Sequence, residues 1–173
     1  MALTVNPAPM DPRIENIVKV LLNIDLNGVP ATARETNVGR VLSAGLSSFT
    51  AIPRRAGVGI DGSPRNPDDA RQVPAAGQLG SLQLGIEYKL YRDRKQAAGE
   101  MDRGLGQCLA YAELYEAVLF LVIYMGAPRD PIPKHWLDRA APLRVGHKPP
   151  GVPVYFAARP RSWSDPWAGK FAR

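Results

Sequence analysis

The stretch from Leu82 to Met125 constrains the fold of this 173-residue chain more than any other. In its first part, LQLGIEYKL, every second residue is apolar, which predicts a strand over Leu82 to Leu90. Apolar residues at helical spacing predict a helix from about Ala97 to Tyr115. The wholly apolar run from Ala117 to Met125 predicts a strand that is covered on both faces. A strand, a helix and a second strand in this order favour an α/β domain.

Two opposite charges interrupt the apolar character of the first strand. Successive side chains of a strand point to opposite faces, so Glu87 and Lys89 share one face while Ile86 and Tyr88 share the other. Buried charges must be paired or bind a metal ion. Because the flanking segments are apolar, the pair is a candidate site, and the alternative is an exposed ion pair on an edge strand.

The N-terminal half predicts two helices and two short strands. Asp11-Pro12 is typical of a helix start, and the apolar spacing that follows ends near Asn27. A second helix is expected over residues 33–47, and two short strands over residues 49–61, with Asp61 at the end of the second. Residues 63–80 are rich in Pro, Gly, Asn and Asp without periodicity, which predicts a long loop.

The net charge of +6 lies at the C-terminal end. Residues 126–173 hold nine basic residues (Lys or Arg) and three acidic ones (Asp or Glu), whereas residues 1–125 hold thirteen basic and thirteen acidic residues. A basic segment attached to a neutral domain favours a polyanionic partner, nucleic acid first. We therefore expect a core over residues 1–126 that includes the N-terminal helix. Residues 127–173 are expected to form an extended, Pro-rich basic tail packed on the same domain, with an edge strand at Val152 to Ala157.

Composition disfavours several classes of protein. The single cysteine, Cys108, excludes an internal disulfide framework and a cysteine-built zinc site. The longest apolar run is about half of what a membrane-spanning helix needs, and residues 1–10 lack the parts of a signal peptide. These features predict a cytoplasmic protein without a membrane partner.

The order of elements and three short motifs resemble the PD-(D/E)XK nuclease superfamily, which has the restriction-endonuclease-like fold. The likeness covers roughly Glu35 to Met125 and depends on GVGID (57–61), IEYKL (86–90) and MDRGLGQCLAY (101–111). It implies an α+β core whose central mixed sheet of four to five strands is flanked by helices. It also implies a metal-dependent nuclease that hydrolyses phosphodiester bonds in DNA, of a restriction, repair or phage-processing type.

Phosphodiester hydrolysis gives the candidate residues their roles. It needs a divalent ion, Mg²⁺ or Mn²⁺, to neutralise the phosphate and activate a water molecule, and a cation near the developing charge. Such hard ions take oxygen ligands, so we expect Asp61 and Glu87 to hold the metal. Lys89 would orient the water or stabilise the transition state. The resemblance adds the backbone carbonyl of Tyr88 as a ligand and Gln107 as a catalytic residue.

Three further residues are candidates for the same site. The resemblance offers Glu35, the acid of the second predicted helix, and Tyr111, which would line the site from the helix. Asp68 is the alternative to Asp61. Pro67-Asp68 matches the letters of the motif, but it lies in a stretch without strand character, where a metal ligand would be poorly held. We therefore prefer Asp61.

Basic residues beside the central stretch and in the tail are expected to contact nucleic acid. The tail mixes arginines with aromatic residues, a combination typical of contacts with phosphates and unstacked bases. The expected contacts are Arg92, Arg94, Lys95, Arg103, Arg159 and Arg161. Two alternatives remain: a protein on the same fold that binds nucleic acid or assembles without catalysis, and a structural protein whose tail docks on a partner chain. A homodimer or a higher homo-oligomer is expected if both strands of DNA are cut.

Overall fold

The computed structural model describes residues 10–59, 61–92, 94–140, 142–146 and 149–172. The helices within these residues are α1 (Pro12–Asn23), α2 (Glu35–Gly45), α3 (Arg94–Tyr111) and α4 (Lys134–Leu137). The strands are β1 (Thr50–Ala51), β2 (Gly57–Val58), β3 (Pro64–Arg65), β4 (Asp69–Val73), β5 (Leu82–Tyr91), β6 (Ala117–Tyr124), β7 (Leu143–Val145) and β8 (Val152–Pro160).

A mixed sheet of six strands forms the centre of the fold, in the order β1-β4-β5-β6-β8-β7. The pairs β1–β4, β4–β5 and β7–β8 are antiparallel, whereas β5–β6 and β6–β8 are parallel. The short strands β2 and β3 form a separate hairpin. The predicted α+β architecture with a mixed sheet flanked by helices is confirmed, but the predicted four to five strands are too few.

Apolar cores cover both faces of the sheet. Residues Leu82, Leu84, Ile86 and Tyr88 of β5 face the core that contains α1 and α2. The alternate residues of β5 face α3, on the side whose core also contains α4 and the C-terminal end. Every residue of β6 is buried, which explains its apolar run. Within the described residues, none of the helices is both long enough and apolar enough to cross a membrane.

The strand β4 lies inside the segment that was predicted to be a loop. Its sequence, DARQV, looks polar, yet Asp69 and Arg71 are buried and form an ion pair of 3.0 Å. The Arg71 guanidinium also donates to the backbone carbonyls of Ser43, Leu46 and Phe49 at 3.1 to 3.3 Å, where α2 ends. A buried strand whose charges are paired internally therefore has a polar sequence, and hydrophobicity alone does not predict it.

The C-terminal region is part of the sheet rather than a tail wrapped around it. Strand β8 lies between β6 and β7, so the predicted edge strand is an interior one. Arg159 is buried and donates to the Leu21 carbonyl at 2.6 Å. Arg161 is half-buried and donates to the Val29 carbonyl at 3.0 Å. The prediction that Arg159 contacts nucleic acid is corrected, because its buried guanidinium binds α1 to the sheet. The contact predicted for Arg161, which binds the loop after α1 and stays partly exposed, remains a prediction.

Replacement of Arg71 by Ala is expected to lower the free energy of unfolding by about 3–5 kcal/mol, because it leaves the Asp69 carboxylate buried without its partner. Urea unfolding measures the change. The matched control is Arg65→Ala, which breaks the exposed ion pair with Asp61 and should cost less than about 1 kcal/mol. Equal losses in the two variants would contradict the assignment of β4 as a buried strand.

Candidate active site

Glu87 and Lys89 lie on the face of β5 that α3 covers. Both are buried, with side chains 1% and 6% exposed, so the alternative of an exposed ion pair does not hold. Helix α3 approaches the strand closely at Gly104, where a Cβ atom would lie 2.9 Å from Lys89 Cγ and 2.7 Å from the Phe120 ring. The absence of a side chain at Gly104 therefore makes room for the lysine stem beneath the helix.

Lys89 joins two acids. Its Nζ lies 2.8 Å from Glu87 Oε1 and 3.1 Å from Glu35 Oε1, at the start of α2. Burial favours the neutral amine, but the negative charges of Glu87 and Glu35 outweigh it and raise the pKa of Lys89 above its ordinary value. The ammonium therefore stays charged through the physiological range, and the expected inclusion of Glu35 in the site is supported by geometry.

The other carboxylate oxygen of Glu87 contacts a residue of α3. Tyr111 donates a short hydrogen bond to Glu87 Oε2. The pKa of Glu87 is raised to about 7, mainly by burial and to a smaller extent by the negative charge of Asp68. The positive charge of Lys89 lowers it, but by less. Tyr111 is itself fully buried, which raises its pKa as well, so it acts as a neutral donor. Its predicted place lining the site from the helix agrees with the structure.

Asp68 completes the acidic cluster from the start of β4. Its Oδ2 accepts a hydrogen bond of 2.7 Å from the backbone N–H of Tyr88. Partial burial raises the pKa of Asp68, while the Tyr88 N–H and the charge of Lys89 act in the opposite direction. The carboxylate stays open to solvent on one side and faces a cleft that Glu35 also lines.

The backbone carbonyl of Tyr88 points toward the same edge. The carbonyls of Gln83 and Tyr91 accept from N–H groups just before and after β6, so the odd-numbered residues of β5 face β6. The even-numbered residue Tyr88 therefore directs both its N–H and its C=O toward β4. Strand β4 begins only at Asp69, opposite Ile86. The carbonyl of Tyr88 thus lies beyond the end of the ladder, on the side from which Asp68 approaches.

Asp61 does not join this cluster, which corrects its prediction as the metal ligand and catalytic aspartate. Its side chain is 59% exposed and pairs with Arg65 at 2.8 Å and with Ser63 Oγ at 2.5 Å. It lines a cavity of about 340 Å³ between the β2–β3 hairpin and α3, together with Gln107. Neither Glu87 nor Lys89 lines that cavity. Gln107 lines the same cavity as Asp61, and its Oε1 is buried without a hydrogen-bond partner among the described residues. Its catalytic role stays a prediction.

Asp68 takes the place that was predicted for Asp61. It was set aside because no strand was predicted around it, and the strand was missed because Asp69 and Arg71 are polar. The signal that could have identified it was the Pro67-Asp68 pair itself, followed by Ala70 and Val73, which are buried on opposite faces of the sheet.

The basic residues near the site are surface residues. Arg92 is exposed and donates to the Ala33 carbonyl, and Arg103 is exposed and pairs with Glu100 at 3.3 Å. The side chains of Arg94 and Lys95 lie outside the described part of the structure. Two exposed arginines that were not predicted, Arg40 and Arg54, line the cleft at Asp68.

The fit of the site to a divalent cation can be judged from its oxygen atoms. Among the described residues, no three side chains of His, Cys, Asp or Glu form a ready metal-binding group. Glu87 Oε1 is buried and has no hydrogen-bond partner within that part of the chain, although the Lys89 ammonium attracts it by charge. Two carboxylates and one carbonyl match Mg²⁺, which usually keeps water and substrate oxygens as its other ligands.

Glu87 is expected to make stability depend on pH. Its pKa in the folded protein, about 7, lies above the ordinary value of 4.5. The folded state therefore keeps a proton that the unfolded chain has lost, so the free energy of unfolding should fall by about 3 kcal/mol as the pH rises from about 4.5 to 7. Urea unfolding in EDTA measures this slope. Glu87→Gln should flatten it and the control Glu15→Gln, at a surface ion pair with Lys19 on α1, should not. An unchanged slope in Glu87→Gln would contradict the assignment.

The chain was compared with known proteins at three levels. No protein-family model, no curated protein and no solved structure matches it. We therefore infer the function of the site from the chemistry of its own residues.

Proposed function

We propose that this chain is a metal-dependent nuclease that hydrolyses phosphodiester bonds in DNA. The observation that carries the proposal is the meeting of Asp68, Glu87 and Lys89 at the point where β4 begins beside β5. One acid there is open to solvent and the other is buried, and the buried one holds a permanently charged lysine. An exposed approach to a buried polar centre is what a reaction with a polymeric substrate requires.

Asp68 and Glu87 would hold Mg²⁺ or Mn²⁺, with the backbone carbonyl of Tyr88 as a third oxygen. The ion would neutralise the phosphate and lower the pKa of a bound water molecule. Tyr111 orients the Glu87 carboxylate from one side, because its hydroxyl donates to Oε2. Asp68 is oriented in turn by the Tyr88 N–H. The ligands are therefore positioned by the two strands and by α3.

Lys89 would supply positive charge rather than take up a proton. Since its pKa is raised above the ordinary value, the ammonium has no lone pair with which to act as a base at neutral pH. A cation held in a buried position stabilises negative charge that develops on a phosphate. Both roles expected from the sequence, orienting the water and stabilising the transition state, are open to a charged ammonium.

The order of the elements around the site supports the resemblance to PD-(D/E)XK nucleases. Along the chain, α2 carries Glu35, β1 follows, Asp68 precedes β4, Glu87 and Lys89 lie on β5, and α3 and β6 come next. This is the predicted order of acid helix, strands, acid-x-lysine strand, helix and strand, with Asp68 instead of Asp61. We infer a restriction-endonuclease-like core from this order together with the site.

A binding protein without catalysis is the second candidate, and one observation favours it. Lys89 and Tyr111 already occupy positions beside both oxygens of Glu87, so the cluster is partly neutralised within the chain itself. Such a protein would bind DNA with strong salt dependence but would not cleave it with any divalent ion.

Cleavage of DNA is expected to require Mg²⁺ or Mn²⁺ and to depend on Asp68 rather than Asp61. Asp68→Asn removes a charged ligand with little change in volume and should reduce the cleavage rate by about 100-fold or more. Asp61→Asn is the matched control and should cleave at close to the original rate. The rates are measured on linear DNA with purified, folded variants, so that the result does not depend on whether cutting starts from an end. A reversed ranking of the two variants would contradict the assignment of Asp68.

Replacement of Lys89 by Ala is expected to reduce cleavage by about 100- to 1,000-fold, since it removes the buried cation that faces the phosphate. Lys134→Ala removes an exposed lysine of α4 and serves as the control. Circular dichroism establishes that both variants are folded before their rates are compared. Full cleavage by a folded Lys89→Ala protein would disprove the proposed mechanism.

A further inference from the structure

We propose that a DNA strand passes through the site from one side to the other, so that this chain cuts within a strand and needs no free end. The proposal depends on the proposed nuclease function and adds the path of the substrate to it. It is carried by two clefts that meet at Glu35, each lined by exposed arginines.

The first cleft, called here the β1 cleft, lies between α2 and β1. It has a volume of about 610 Å³ and reaches Asp68 and Glu35 at its inner end. Arg40 and Arg54 line it and are exposed. Arg54 is held beside the acids, because its Nη1 donates to the Asp68 carbonyl at 3.4 Å. The buried pair of Arg71 and Asp69 adds no net charge, so the outer part of the β1 cleft is basic.

The second cleft, called here the α3 cleft, lies on the other side of Glu35. It has a volume of about 530 Å³ and is bounded by the start of α2, the end of β5 and the first half of α3. Arg34, Arg92 and Arg103 line it and are exposed. Arg92 uses one donor on the Ala33 carbonyl, and a guanidinium has five N–H donors, so further donors are left for a phosphate.

Glu35 lines both clefts and pairs with Lys89, so the two clefts meet at the proposed reaction centre. Successive phosphates of a strand would contact arginines before the centre, pass the acids, and contact arginines after it. A nuclease that starts from an end needs a wall beside its reaction centre against which the terminus is placed. Here exposed arginines are among the residues that line each side, which suits a continuous chain of phosphates.

Circular single-stranded DNA tests the path, because a circle has no end. With Mn²⁺ present, the protein should convert the circle to linear product at a rate within about threefold of its first cut in a linear strand of the same sequence. If nucleotides are released from the linear strand while the circle stays intact, the proposed path of the strand through the site is wrong, but the nuclease proposal is not contradicted. A protein that cuts neither substrate would overturn the nuclease proposal, and internal cutting with it.

Salt dependence of binding tests the two sides separately. The measured quantity is the slope of the logarithm of the binding constant for single-stranded DNA against the logarithm of the salt concentration. Arg34→Ala in the α3 cleft and Arg40→Ala in the β1 cleft should each reduce this slope by about 0.7, the contribution of one phosphate contact with a single strand. The double variant should reduce it by about 1.4. The control is Arg144→Ala, on β7 at the opposite edge of the sheet, which should leave the slope unchanged. An effect confined to one cleft would overturn the proposal.

Discussion

The structure depends on a pair of opposite charges, Glu87 and Lys89, buried between β5 and α3. Burial of two charges costs several kcal/mol each, and apolar residues of similar volume often serve stability as well or better. The rest of this face of the sheet consists of residues such as Val118, Phe120 and Val122, so an apolar pair would suit it. The charges are held instead by Tyr111 on α3 and Glu35 on α2. A buried charge pair with such a high desolvation cost is expected where the charges have a chemical function.

The acid that faces solvent depends on the register between β4 and β5. Asp69 lies opposite Ile86, which places the Asp68 carboxylate where it accepts a hydrogen bond from the N–H of Tyr88. A shift of one residue would turn Arg71 away from the carbonyls of Ser43, Leu46 and Phe49 at the end of α2, and would turn the other side chains of β4 to the wrong face. The contacts of Arg71 with the end of α2 therefore fix the register, and the register positions Asp68. Stability and site geometry are coupled through two adjacent aspartates with different roles.

The central part of the fold could be predicted because its periodicity is strong, and the rest was hidden by charge. Strands β5 and β6 and the helix between them follow from alternation and from an unbroken apolar run. Strand β4 contains charged residues that are neutralised only by contacts with the end of α2, and such contacts are long-range. The same reason applies to Arg159, whose donors satisfy backbone carbonyls near its own strand and at the end of α1. Local sequence gives the chemistry of these residues but not their partners.

The electrostatics of the site explain why arginines surround it at a distance. Glu35, Asp68 and Glu87 carry more negative charge than Lys89 can offset, and the raised pKa of Glu87 is a direct result of burial and of the charge of Asp68. Such a cluster attracts a divalent cation and repels a phosphate. The exposed arginines of the two clefts lie on either side of the acids, where they can attract the phosphates of a strand without pairing with the carboxylates that would hold the metal. In the proposed nuclease, different residues would thus attract the polymer and bind the ion.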